Sequence, residues 1–135
     1  MFIGIDLGTS SVKMILIDHN QNILATANSS LTVQSPKDGF SEQNPQEWVD
    51  STIKCLEILK KKKPKEFFDT ISIGISGHMH GSTLIDSNGK VIRPCILWND
   101  TRSHKECIEF ENQNIDVRSI SGNITMPGFT APKIN

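Results

Sequence analysis

The sequence lacks the features that mark membrane, secreted and nucleic-acid-binding proteins. No apolar run approaches the roughly 18 residues of a membrane-spanning helix, and no basic segment followed by an apolar core and a cleavage site opens the chain. Fourteen lysines and arginines stand against fifteen acidic residues, for a formal net charge of -1. This balance gives no electrostatic reason to expect a nucleic-acid or membrane partner. We therefore expect a cytoplasmic protein.

Cysteine is also scarce, since the chain has three and none forms a CxxC pair. An odd number without that spacing argues against a disulfide or zinc framework and favours reduced thiols. The 135 residues, 36% hydrophobic and 21% charged, suit one globular domain. No repeat or low-complexity linker interrupts them, so we interpret residues 1–135 as one structural unit.

Hydrophobic patterning predicts an α/β protein with a mixed sheet. Three strands are expected first, as an antiparallel β-meander whose third member is polar enough for a sheet edge. A helix, a central strand reached by a helical crossover, a hairpin at Asn88-Gly89, another helix and a loop-like tail follow. The expected strands are 2–7, 12–18, 23–33 and 71–76, and the second helix is 102–113.

The first helix has clear boundary signals. Asn44 can cap it, Pro45 suits its first position, and Glu47 completes a capping box. A lysine tetrad at 60–63 occupies the last turn, where cations suit the helix dipole, and Pro64 ends the helix. Its apolar face is expected to include the following residues: Trp48, Val49, Thr52, Ile53, Cys55, Leu56 and Leu59.

The turn between the first two strands can bind an anion. Small residues from Gly8 to Ser11 let backbone N–H groups and the hydroxyls of Thr9, Ser10 and Ser11 approach phosphate oxygens. Asp6, at the end of the first strand, can hold Mg²⁺ directly or through water. The alternative from spacing alone is an ordinary hairpin that Asp6 caps. The GxxxxGK[ST] pattern of a Walker loop is absent.

A second cluster follows the strand at 71–76, where α/β proteins commonly place ligand groups. His78 and His80 would share a face of an extended strand and could bind a metal, although no third ligand is evident. The stretch Trp98-Asn99-Asp100 offers donors, acceptors and an apolar ring for a sugar. Trp98 could equally belong to the core.

Four stretches together carry a family resemblance. They are IGIDLGTSSVK, GFSEQNPQEW, GISGHMHGSTLIDSNGKVIRPCILWNDTR and SGNITMPGFTAPK. The first resembles the phosphate loop of the actin, heat-shock chaperone and sugar-kinase superfamily, whose fold is ribonuclease-H-like. All four, in this order, resemble the FGGY carbohydrate kinases and, within them, the xylulokinases. The resemblance covers essentially the whole chain.

The resemblance implies roles for residues in both clusters. Asp6 would position the metal, through water, and the phosphates. Met79 and His80 would contact the ketose, with Trp98, Asn99 and Asp100 lining the same cleft and Arg102 orienting that loop. His78 stands where many members have glutamine, and Ser11 where many have glycine, which would strain Ser11 if its φ were positive. The phosphate-binding residues would be Gly8, Thr9, Ser10, Ser11 and Lys13.

The resemblance also implies what these residues do not include. FGGY kinases are several times longer, with two lobes around the active site. Their catalytic-base aspartate, second phosphate loop and adenine pocket lie in later segments, so residues 1–135 correspond to an incomplete first lobe.

The implied function is therefore the N-terminal part of a kinase that uses ATP and Mg²⁺ to convert D-xylulose to D-xylulose 5-phosphate. The isolated chain is expected to be inactive, and the complete enzyme could be a homodimer. Two alternatives stay open: a non-catalytic remnant or sugar-binding module, and a sister FGGY kinase for another ketose or polyol.

Overall fold

The computed structural model describes residues 1–113 and 116–135. Contacts between backbone positions group the chain into two compact units. Unit 1 contains Met1–Thr32 and Gln46–His78, and unit 2 contains Val33–Pro45 and Met79–Asn135. The assignment of residues 1–135 to a single domain stays a prediction.

Unit 1 is built on a four-stranded mixed sheet. Strands β1 (Phe2–Leu7), β2 (Ser11–Ile17) and β3 (Ile23–Ser30) form consecutive antiparallel pairs. This is the predicted β-meander, and β3 lies at a sheet edge as expected. It ends at Ser30, three residues earlier than predicted, because the chain then leaves the ladder of β2.

The core of unit 1 lies between this sheet and helix α1 (Pro45–Lys62). Alternate residues of β2, among them Val12, Met14 and Leu16, are fully buried, since successive strand side chains point to opposite faces. On the helix, Cys55 and Leu59 are fully buried against them. The predicted apolar face was too wide, because Val49 and Ile53 are more than half exposed.

The last strand of the sheet has a different position from the one predicted. After α1 and the short α2 (Pro64–Phe68), β5 (Ser72–Gly77) pairs with β1 in parallel, which confirms the helical crossover. However, β5 lies at the end of the strand order and not in the centre of the described sheet. Every residue of β5 is exposed, and no strand in the described part of the chain pairs with its second edge.

Unit 2 has little regular structure. It pairs β4 (Glu42–Gln43) with β6 (Cys95–Ile96) and adds helices α3 (His104–Glu111), α4 (Val117–Ser121) and α5 (Thr130–Lys133). Helix α3 lies within the predicted 102–113. The tail was wrongly predicted to be loop-like, because it contains α5, which contacts α3.

The predicted turn at Asn88-Gly89 is present. Gly89 has a positive φ of 78°, and the Asp86 carboxylate accepts hydrogen bonds from the N–H groups of Asn88 and Lys90. One isolated antiparallel bridge, between Ile85 and Val91, joins the two sides of the turn in place of a full hairpin ladder.

The three cysteines, Cys55, Cys95 and Cys107, are buried and unbridged. Within the described ranges, no helix combines the length and apolarity needed to cross a bilayer.

Candidate functional site

The candidate phosphate residues lie in unit 1, at the turn between β1 and β2. The Gly8 N–H donates to the Ser11 carbonyl at 3.1 Å, and the Leu31 N–H donates to the Ser10 carbonyl at 2.9 Å. These bonds hold the turn at both ends and occupy the Gly8 N–H. Ser11 begins β2, and its φ is not positive, so the strain considered for a serine at this position does not arise.

Asp6 and Lys13 face each other across the first two strands, near the turn. They are partners in the β1–β2 register, and both side chains are exposed on the sheet face opposite the core. The Ser76 hydroxyl, on β5, donates to the Asp6 carboxylate at 3.1 Å. Three strands thus bring a carboxylate, an ammonium and a hydroxyl to one place.

The surface beside these groups is an open depression of about 500 Å³. Gly4 and Gly74, partners in the parallel register of β1 and β5, form part of its floor. No atom lies within 4 Å of the Cβ position at Gly74, so a ligand could approach the β5 backbone there, whereas the Ile15 side chain covers Gly4. A carboxylate oxygen is the kind of ligand that Mg²⁺ prefers, and the ammonium suits a phosphate. The residues present therefore fit a metal–nucleotide ligand.

Four of the five candidate sugar residues, His80, Trp98, Asn99 and Asp100, line a cavity of about 320 Å³ in unit 2. The backbone of His80 has a positive φ of 60°, a conformation that histidine adopts more readily than most residues. The His80 ring lies 4.8 Å from the Phe129 ring, measured between centroids. The lining consists of His80, the stretch 98–101 and the stretch 126–129.

Close backbone packing shapes one wall of this cavity. A Cβ added to Gly128 would lie 2.3 Å from the carbonyl oxygen of Trp98, so only glycine fits against that carbonyl. Trp98 is about half exposed (46%), which favours the sugar-facing interpretation of this residue over the core interpretation. Asn99 is exposed and belongs to the lining. Met79 is also exposed but is not one of the lining residues.

Asp100 differs from its neighbours because its carboxylate is fully buried. One oxygen accepts the Ser41 N–H, and the Arg102 guanidinium holds both oxygens in a bidentate arrangement, at 2.8 to 3.1 Å. Burial alone would raise the pKa of Asp100, but the hydrogen bonds from Arg102 and Ser41 outweigh burial and lower the pKa. The prediction that Asp100 contacts the sugar therefore requires one of these bonds to open.

Arg102 extends this contact into a network that sequence reasoning did not assemble. It also pairs with Glu42 at 2.7 Å, and Glu42 pairs with Arg93 at 2.8 Å. The guanidinium of Arg102 lies 3.8 Å from the centre of the Phe40 ring, in cation–π contact. Desolvation would lower the pKa of Arg102, but the two carboxylates outweigh it and raise the pKa. Asp100 and Arg102 are two residues apart, but Glu42 lies 51 residues before Arg93, so no local pattern predicts that it joins the network.

His78 and His80 do not lie on an extended strand, which the histidine metal site considered above requires. Strand β5 ends at Gly77, and the left-handed backbone of His80 breaks the extended geometry that would place His78 and His80 on one face. His78, in unit 1, has its ring against that of Trp48, with centroids 5.1 Å apart. Burial lowers the pKa of His78. Within residues 1–113 and 116–135, no group of three potential metal ligands was found among histidine, cysteine and acidic side chains.

Comparison with known proteins identifies the family to which the chain belongs. The model of the N-terminal domain of the FGGY family of carbohydrate kinases matches residues 1–135. The xylulose kinase of Escherichia coli (strain K12) is 44% identical over 134 residues, which is 99% of this chain and 27% of that protein. The xylulose kinase of Bacillus subtilis (strain 168) is 41% identical over 133 residues, 98% of this chain and 27% of its own length.

A solved structure agrees with these matches. A "xyloylose kinase" from Brucella ovis superposes with a TM-score of 0.93 and 49% identity, covering 98% of this chain and 28% of its own. This similarity confirms the predicted sugar-kinase fold of the ribonuclease-H-like type. The chain spans about a quarter of the length of the relatives that it matches.

Proposed function

Since this chain belongs to the FGGY family of carbohydrate kinases, we propose that it forms the N-terminal part of an ATP-dependent kinase for D-xylulose. The product would be D-xylulose 5-phosphate. The observation that carries the proposal is the cavity in unit 2, in which His80, Trp98 and Asn99 come together. Such a cavity combines fixed polar groups with an apolar ring, as recognition of a ketose requires.

The chain would bind substrates at two places. In unit 1, Asp6 would hold Mg²⁺ through water, and the turn Gly8–Ser11 with Lys13 would bind the phosphates of ATP. In unit 2, His80 would contact the ketose hydroxyls, while Met79 and Trp98 would pack on the C–H face of the sugar. The metal, when bound, would neutralise charge that develops on the transferred phosphoryl group.

The remaining chemistry would come from residues outside this chain. Phosphoryl transfer depends on positioning and on electrostatic stabilisation across a closed cleft. In this family the base that takes the proton of the attacking hydroxyl is an aspartate of a later segment. We therefore expect the 135 residues alone to lack turnover, because loss of a general base by itself costs about 10²–10⁴ in rate.

The test is a chimera in which this chain replaces the matching segment of the E. coli (strain K12) xylulose kinase, which is 44% identical. Coupled ATP consumption would be measured with D-xylulose, ribulose, gluconate and glycerol. We expect the chimera to turn over D-xylulose best and the isolated 135 residues to be inactive. Preference for another of these substrates would replace D-xylulose in the proposal, and a well-folded but inactive chimera would favour a non-catalytic sugar-binding module.

Asp6→Ala gives a residue-level check in the same chimera. Removing a preorganised group that stabilises charge costs about 10²–10³ in rate, and we expect a loss on this scale. Asp38→Ala is the control, because Asp38 is exposed and has no proposed role. Equal activity of the two variants would contradict the role given to Asp6.

A further inference from the structure

The backbone at His80 needs support from outside its own turn. A positive φ is unfavourable for a residue with a Cβ, and His80 has a φ of 60°. The neighbouring Met79 is exposed, so packing of that side chain does not hold the turn. The Phe129 ring and the Lys133 ammonium contact His80 from the segment 128–133.

Lys133, at the end of α5, makes the closest of these contacts to the backbone. Its ammonium donates to the His80 carbonyl at 2.8 Å and to the Gly128 carbonyl at 2.7 Å. The two carbonyls are 48 residues apart in sequence, and one ammonium joins them. Hydrogen bonds from a charged donor are roughly twice as strong as those between neutral groups.

The two joined segments are those that shape the candidate sugar cavity. His80 and Phe129 line it with their rings in contact, and Gly128 packs against the Trp98 carbonyl. Lys133 itself does not line the cavity, and both of its bonds go to main-chain oxygens. Its chemistry is therefore suited to holding the cavity in shape and not to contacting a substrate.

We infer that Lys133 is a positioning residue, which holds the left-handed turn at His80 so that His80 presents its side chain to the sugar. This inference rests on the proposed function for its consequence, the binding of a ketose. The link between Lys133 and the His80 carbonyl depends only on the structure.

Kinetics of the chimera described above test the consequence. Lys133→Met keeps the apolar stem and removes the ammonium, and we expect it to raise the KM for D-xylulose about tenfold, the scale of one lost charge-assisted hydrogen bond. The KM for ATP should change little, whereas the melting temperature should fall, because the bonds to both carbonyls are lost. Lys133→Arg, which keeps a charged donor, should restore part of the lost affinity. Lys105→Met, at an exposed position of α3, is the matched control and should leave all constants unchanged.

Backbone NMR shifts of His80 in the 135-residue chain test the cause without any substrate. We expect Lys133→Met to move them toward ordinary backbone values, and Lys105→Met to leave them unchanged. If the shifts move but the chimera phosphorylates no sugar, the proposed function fails and the role of Lys133 in the turn stands. Unmoved shifts together with an unchanged KM for D-xylulose in an active chimera would overturn the inference and leave the proposed function in place.

Discussion

In unit 1, apolar side chains of the strands pack against α1, whereas unit 2 is organised around Asp100, Arg102 and Glu42. The first arrangement depends on area removed from water, which is non-directional and tolerates small shifts. The second depends on distances and angles, because a buried charge is stable only with a well-placed partner. The comparison predicts that one polar substitution harms unit 2 at least as much as one apolar truncation harms unit 1.

The largest effect is expected from Arg102→Met. It leaves the carboxylate of Asp100 buried without its bidentate partner, and such losses cost about 3–5 kcal/mol in the free energy of unfolding. Urea denaturation of the chain measures this change. Arg118→Met is the control, since Arg118 forms an exposed ion pair with Glu111 that should contribute little. Equal stability of the two variants would show that the network does not organise unit 2.

A slightly smaller effect is expected from Leu59→Ala in unit 1. Leu59 is fully buried, and truncating such a leucine costs about 2–5 kcal/mol through lost transfer energy and the cavity left behind. The same denaturation experiment applies, with Val49→Ala as the control on the same helix, because Val49 is about half exposed (51%). A similar loss in both variants would mean that α1 packs on the sheet by a different face.

The smallest expected effect is the pH dependence that Asp100 gives to the stability of unit 2. Hydrogen bonds from Arg102 and Ser41, acting against burial, hold the pKa of Asp100 below its ordinary value of 3.8. A depressed folded-state pKa means that the ionised carboxylate stabilises the fold above pH 3.8, and that this contribution is lost as the pH falls through the folded value. Titration of the Asp100 carboxyl followed by ¹³C NMR should give a midpoint under 3.8. A midpoint at or above 3.8 would contradict the pairing with Arg102.

Sequence reasoning succeeded where local periodicity carries the information. The β-meander, the extent of α1 and the turn at Asn88-Gly89 follow from alternation, capping residues and turn chemistry, which act over a few neighbouring positions. It failed at the face of α1, where Val49 and Ile53 fit the helical pattern but are more than half exposed. It also failed for the tail, because the short α5 is supported by contact with α3 and not by its own propensity.

The residues of the candidate site likewise include some that the sequence could predict and some that it could not. The turn from Gly8 to Ser11 and the stretch Trp98-Asn99-Asp100 could be named from residue types and from family resemblance. The burial of Asp100 could not, because its partner Ser41 lies 59 residues earlier in the chain, and Glu42, the second partner of Arg102, directly follows Ser41. Lys133 was missed for the same reason. Its acceptors are main-chain carbonyl oxygens, which every residue carries, so the residue types give no signal for this pairing.

Short-range patterns and motifs were enough to predict β1, β2, β3, α1 and β5 in order, together with the family to which the chain belongs. The folded arrangement of distant segments was needed to see which polar groups are buried partners. It also showed why residue 128 must be glycine against the Trp98 carbonyl, and that Lys133 contacts the His80 turn. The physical reason is range. Propensity and periodicity act between neighbours along the chain, whereas hydrogen bonds and ion pairs of buried groups form between segments that only the fold brings together.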